Sequence, residues 1–287
     1  MTIDHKERSF NITVMSRSDV DVAIGWARQE GWNPGLQDAE AFYVADPGGF
    51  LLGRIDGEPV ASLSAVRYGD DFGFIGLYIV DPAHRGRGHG WQIWQAGMAS
   101  LAGRNVGLDG VVAQQDNYRR SGFRLAHRNI RFGGRAAALG RPSADIVPAT
   151  RPDWQALIGY DRAHFPAPRE AFLRHWIAAE QATALVCLDG SRIVGFGCLR
   201  PCVEGYKIGP LNAADPDTAA RLYDALAATA TPGAPIFLDV PEPNAAGIAL
   251  AESKGLQPVF ETARMYTGTP PPLPLDRIYG ITSFELG

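Results

Sequence analysis

Val80-Asp-Pro82-Ala-His-Arg85-Gly-Arg-Gly-His-Gly90-Trp91 is the stretch on which the reading of this chain turns. It follows an apolar run, Phe72 to Val80, and precedes a segment of helical periodicity from about Gly90 to Ala102. A strand, a glycine-rich turn and a helix in that order leave several backbone N–H groups unoccupied at the helix N-terminus. Glycines at 86, 88 and 90 keep Cβ atoms away from an incoming anion, and the helix dipole adds to the attraction. The turn is therefore expected to hold a phosphate. A P-loop would need Lys followed by Ser or Thr, whereas Gly90 precedes Trp91. The dinucleotide fingerprint, read from Gly86, would need a glycine where Trp91 stands.

Outward from the turn, the 287 residues exceed the usual span of one domain, so two units of roughly 100–150 residues are expected. The first, residues 10–133, reads as a strand over 11–15, helices over 20–30 and 36–45, and apolar runs over 50–55 and 59–68. Those runs flank Asp56-Gly57, a strong hairpin signal. A strand over 106–112, a short helix over 114–121 and a strand over 123–132 follow. Gly133-Gly134 and the Ala-rich run to Pro142 predict a linker over 134–144. Residues 145–287 then repeat the order, with Asp189-Gly190 standing where Asp56-Gly57 stood. The stretch from Leu275 to Leu286 is expected to dock as a strand on that second domain.

Composition bounds the partners. With 46% hydrophobic residues, 20% charged residues and a net charge of −4, the chain has no overall pull toward nucleic acid. Three cysteines, Cys187, Cys198 and Cys202, build neither a disulfide framework nor a zinc site, and no metal is expected. The first ten residues lack the apolar stretch of a secretory signal, and no run approaches the roughly 18 apolar residues of a spanning helix. The expectation is a cytoplasmic protein that meets no membrane.

Arg85-Gly-Arg-Gly88-His-Gly90 resembles the Arg/Gln-x-x-Gly-x-Gly/Ala signature of the GNAT superfamily, the GCN5-related N-acetyltransferases. The resemblance extends to Val80-x-Pro82 before the turn and to Tyr118, ahead of Gly122-Phe123. Its motifs cover about half of the chain. It implies an α/β (α+β) fold of two GNAT-like domains, each a mixed, mostly antiparallel twisted sheet flanked by helices. It also implies acetyl-CoA as cosubstrate, slotted between the fourth and fifth strands. By position, Tyr78, Ile79 and Val80 would pair with the pantetheine arm, while Arg85, Gly86, Arg87, Gly88, His89, Gly90 and Trp91 would hold the pyrophosphate. A main-chain N–H near Val80 would stabilise the oxyanion, Tyr118 would protonate the leaving thiolate, and Arg119 would approach the 3′-phosphate. One departure is that Val111-Val112 stands where many members carry Asn. On the acceptor side, the resemblance points to Trp32 and Asn33 in the loop between the first two helices, and to Glu40. Glu40, Asp71 and Asp109 border the cleft as candidate bases. The later members of the run Arg119, Arg120, Arg124, Arg128, Arg131 and Arg135 read as a solvated basic face.

At the matching place the second domain has Tyr206-Lys-Ile-Gly-Pro-Leu211 and then Asn212-Ala-Ala-Asp-Pro216. Prolines there remove main-chain donors, so this copy is expected not to bind pyrophosphate. It could instead shape the acceptor site, bind an effector or make a homodimer contact. His164, His175 and the cysteines read as packing or surface residues. The expected activity is N-acetylation of a small-molecule or protein amine; the alternative is an acyl-CoA sensor with little or no transferase activity.

Overall fold

The computed structural model describes residues 9–137 and 143–287. Its first half runs β1 (Phe10–Val14), α1 (Arg17–Gln29), α2 (Asp38–Ala45), β2 (Phe50–Ile55), β3 (Glu58–Tyr68), β4 (Phe72–Val80), α3 (His89–Ser100), β5 (Asn105–Val111), α4 (Gln115–Arg120) and β6 (Arg124–Arg135). The second half runs β7 (Ile146–Pro148), α5 (Trp154–Arg162), α6 (Glu170–Ala178), β8 (Thr183–Asp189), β9 (Arg192–Pro201), β10 (Tyr206–Ala213), α7 (Pro216–Ala227), β11 (Pro235–Pro241), α8 (Ala245–Ser253), β12 (Gln257–Tyr266) and β13 (Ile278–Gly280). Local chemistry explains the boundaries. α1 begins in a capping box, in which the Ser16 hydroxyl accepts from Asp19 N–H and the Asp19 carboxylate accepts from Ser16 N–H. Asp56 and Gly57 both have positive φ, 53° and 91°, as a two-residue turn between twisted strands demands.

The strands form one sheet in the order β1-β2-β3-β4-β5-β12-β6-β11-β10-β9-β8-β7, with β13 attached to β10. Pairing is antiparallel except where β4 meets β5 and β10 meets β11. The duplication predicts two separate sheets, and here the chain departs from it. β12, from the second half, lies between β5 and β6, while β6 lies against β11 of the second half. Each half thus lends its closing strand to the other. Asp189 follows Asp56 by 133 residues (189 − 56), and Thr262 follows Asn129 by the same 133 (262 − 129). Asn129 and Thr262 are direct partners in the antiparallel β6–β12 ladder, so a pseudo-twofold axis passes between them.

The exchange merges the cores. Ala263 and Met265 of β12 pack with Trp94, Leu108 and Phe123 of the first half, and Phe132 of β6 packs with Leu238 and Leu256 of the second. A further cluster joins Phe42 and Phe74 to Phe172, Trp176 and Cys198. The expected linker shortens, because β6 continues to Arg135, with Gly134 opposite Ile236. A Cβ at Gly134 would crowd Leu256 and one at Gly133 would crowd Phe237, so these glycines serve strand packing. Residues 138–142 of the predicted linker lie outside the described residues. The tail also differs from expectation. Only Ile278–Gly280 is a strand, and after Thr282 the tail reaches the first half, where Tyr68 donates to the Leu286 carbonyl at 3.1 Å.

Candidate functional site

β4 and β5 are paired only from Phe72–Ile75 against Asn105–Leu108, and beyond that point they separate. The cause lies in β4. Leu77 has φ of 46°, a left-handed conformation costly for a branched side chain, and the ladder to β3 slips between Ser62 and Ser64. The Ser62 hydroxyl donates to the Leu77 carbonyl at 2.7 Å and holds the kink. The opened wedge is a cavity of about 450 Å³. Tyr78, Ile79 and Val80 line it from β4, and Leu108 to Val111 from β5. Tyr118 and Trp94, with ring centroids 5.6 Å apart, form one aromatic group in its wall. Trp32, Phe260 and Phe284 form another.

The glycine turn opens α3. Gly88, at φ of 84°, is its N-cap and brings no side-chain cap, and Gln92 N–H bonds back to Gly88 O at 3.1 Å. A left-handed N-cap without a side chain leaves the first-turn amides bare, which suits an anion. The Arg85 guanidinium donates to Val80 O at 2.9 Å and to the Glu30 carboxylate at 2.5 Å, tying the turn to the end of β4 and to α1. Both Arg85 and Glu30 line the cavity. Gly90 packs beneath the turn against the Tyr78 hydroxyl, and Trp91 is 56% exposed. His89 stacks on Phe10 at 4.6 Å. Burial first, then the nearby His84 and Arg87, pushes its imidazole below the usual histidine range. The turn's positive charge therefore comes from Arg85 and Arg87.

Tyr118 reaches the cavity from α4, after a single 3₁₀ turn over Val112–Gln114. Its ring fills the space that a Cβ on Gly110 would need. Burial, reinforced by the Tyr78 hydroxyl, pushes its phenol up to about 12. Arg119 does not line the cavity and pairs with Asp116 at 2.8 Å on the exposed side of α4.

On the acceptor side, Trp32 lines the cavity, whereas Asn33 and Glu40 do not. The Asn33 amide is consumed in docking the halves, donating to Glu204 O at 3.0 Å and accepting from Glu204 N–H at 2.8 Å. Glu40 pairs with Arg17 at 2.7 Å on the surface. Asp71 is likewise outside the lining, where its carbonyl accepts from Asn105 N–H at 2.8 Å. Asp109 faces the cavity but is fully engaged, accepting from Arg264 at 2.9 and 2.5 Å and from Asn129 at 2.8 Å. Both of its oxygens are thus taken up within the protein. Arg131, expected on a solvated face, is buried: it forks onto Asp239 at 2.7 and 2.8 Å, donates to Trp32 O at 3.0 Å and lies 4.6 Å over the Phe284 ring. Among the lining residues that the sequence left unremarked are Glu30, Phe260, Thr262, Phe284 and Glu285. No local motif marks the last four, which arrive from more than 100 residues away through β12 and the tail.

The second half has the same splay, since β10 and β11 pair only from Tyr206–Ile208 against Ile236–Leu238. That notch is filled. β13 pairs with β10, setting Gly280 opposite Leu211, and Ile281 N–H donates to Asp239 O of β11 at 2.9 Å. The Asn244 amide donates to Ile278 O at 2.9 Å and fixes the plug. Among the described residues, no group of three or more His, Cys, Asp or Glu side chains is placed to hold a metal, and no helix is long and apolar enough to cross a membrane.

Comparisons with known proteins agree with this geometry. Residues 19–123 match the family described as Acetyltransferase (GNAT) family, and residues 157–280 match an Acetyltransferase (GNAT) domain family. A holothin acyltransferase from Pseudoalteromonas sp. (strain SANK 73390) is 31% identical over 262 residues, spanning 91% of this chain and 89% of that protein. The crystal structure of a candidate acetyltransferase from Pyrococcus horikoshii superposes with a TM-score of 0.82 at 20% identity, over 100% of this chain and 99% of that one. A tandem GNAT protein from the clavulanic acid biosynthesis pathway gives a TM-score of 0.60 at 12% identity, over 91% and 100%.

Proposed function

Because the chain belongs to the GNAT acetyltransferase family, as a tandem of two such domains built for acyl transfer, we propose that its first half moves an acetyl group from acetyl-CoA to the primary amine of a small molecule. The observation that carries this reading is the contrast between the notches: one is open, with a bare helix start beside it, and the other is plugged. The diphosphate would sit on residues 86–91, and the pantetheine arm would run along Tyr78 to Val80, whose partner strand has moved away. The amine attacks the thioester carbon directly, and a main-chain N–H near Val80 receives the oxyanion.

Tyr118 lies within the same wall and keeps its proton at neutral pH. Transfer from a phenol near 12 to an ordinary thiolate near 8.5 would be uphill by about 5 kcal/mol. Tyr118 therefore acts first as a hydrogen-bond donor to the departing sulfur. Transfer completes as that sulfur, desolvated in the same cavity, gains basicity. A small acceptor is favoured over a protein one because the tail closes part of the cavity with Phe284 and Glu285. Calorimetry should detect acetyl-CoA binding to the full chain, and free thiol should appear when a panel of small primary amines is added. No association with acetyl-CoA would end this proposal.

A further inference from the structure

Resting on that reading, we propose that Glu285, carried into the first half's cavity by the tail of the second half, binds the acceptor's amine and takes its proton. Glu285 is 3% exposed, lines the cavity, and leaves its Oε1 with no hydrogen-bond partner among the described residues. A buried, unpartnered carboxylate oxygen is costly unless something positive or proton-bearing visits it. The other acids nearby are occupied: Asp109 by Arg264 and Asn129, Glu30 by Arg85, and Asp239 by Arg131. Arg131 on β6 and Lys207 on β10 are the cations that feel the charge of Glu285. Arg131 is already committed to Asp239 and to the Trp32 carbonyl.

The placement is built into the fold. The main chain at Glu285 lies against Gly76, so close that a Cβ there would collide with the Glu285 carbonyl. Gly76 follows the last β4 residue paired with β5, so Glu285 stands at the start of the splay, beside the path assigned to the thioester. Phe284 and Phe260, 6.1 Å apart, and Trp32 surround the approach with rings. One carboxylate among three aromatic faces selects a compact, flat primary amine.

In the reaction, the bound ammonium first gives one proton to Glu285 Oε1, and the neutral nitrogen then forms its bond to the acyl carbon. The C–S bond breaks, its electron pair leaves with sulfur, and the Tyr118 hydroxyl supplies the proton that makes the thiol. The second N–H proton passes through solvent to the Tyr118 phenolate, and Glu285 gives its proton up to solvent, which restores both groups.

Benzylamine and acetyl-CoA test this in the full chain, compared among wild type, Glu285→Gln and Glu285→Asp. Acetyl-CoA binding should be unchanged in both variants, which also reports that they fold. Thiol release with benzylamine should fall about 10²- to 10⁴-fold in Glu285→Gln, the usual worth of a positioned base, and recover in part in Glu285→Asp. With the weakly basic aminoacetonitrile, already neutral at assay pH, the Glu285→Gln deficit should shrink at least tenfold; a merely structural role would give equal losses for both amines. Benzylamine failing as acceptor or ligand of the acetyl-CoA-loaded wild type, or reacting equally well in Glu285→Gln, overturns the inference. Failure of acetyl-CoA itself to bind overturns the earlier reading instead.

Discussion

Tyr118 and Arg131 do opposite work with buried polar groups. Burial keeps the Tyr118 phenol protonated, so it remains a hydrogen-bond donor throughout the neutral range. Tyr118→Phe should retain acetyl-CoA binding and lower kcat by about 10²- to 10³-fold, as read by thiol release. In the wild type, loss of the Tyr118 proton belongs near pH 12, so this residue should produce no alkaline decline between pH 7 and 10. A decline there that vanished in Tyr118→Phe would contradict the assignment. Arg131 instead spends its charge on Asp239, the Trp32 carbonyl and the Phe284 ring, and so holds Trp32 and Phe284 together in one wall of the cavity. The arginine run suggested solvent because side-chain alternation along β6 says nothing of which strand lies beside it.

At the scale of elements, the legible parts are those whose cause is local. The hairpin at Asp56-Gly57 needs only two residues with positive φ, and the start of α3 needs only glycines at its opening. Gly88→Ala tests the latter. An alanine at φ of 84° costs about 1–2 kcal/mol, and the resulting shift of the helix start should weaken acetyl-CoA binding by about 5- to 30-fold, measured by calorimetry. Unchanged affinity would mean that the turn does not touch the diphosphate. The end of β6 and the fate of the tail were less legible. Gly133-Gly134 looks like a linker by composition, yet each fits under a neighbour from the second half. Residues 275–286 look like a strand by pattern, yet the notch between β10 and β11 accepts only Ile278–Gly280 as one.

For the whole molecule, the duplication is visible in the order of elements, but the exchange of β6 and β12 is not. Both strands fit either sheet by periodicity, and pairing over more than 100 residues is decided by packing. The exchange makes the halves interdependent. A fragment of residues 1–137 lacks β12, so β5 and β6 lose their shared neighbour and Trp94 loses Ala263 and Met265. Circular dichroism and proton NMR should find that fragment, and the fragment 143–287, without cooperative folding when separate. Mixing the two should restore native dispersion and thiol release. Independent folding of either piece would refute the interdependence.

The peptide that stoppers the idle wedge continues, within a few residues, into the furnished one. Any guest pressing between β10 and β11 must evict β13, and eviction would drag Phe284 and Glu285 from their posts. Opening the second notch would thus strip Phe284 and Glu285 from the lining of the first. The half whose own notch is filled thereby furnishes part of the wall of the other.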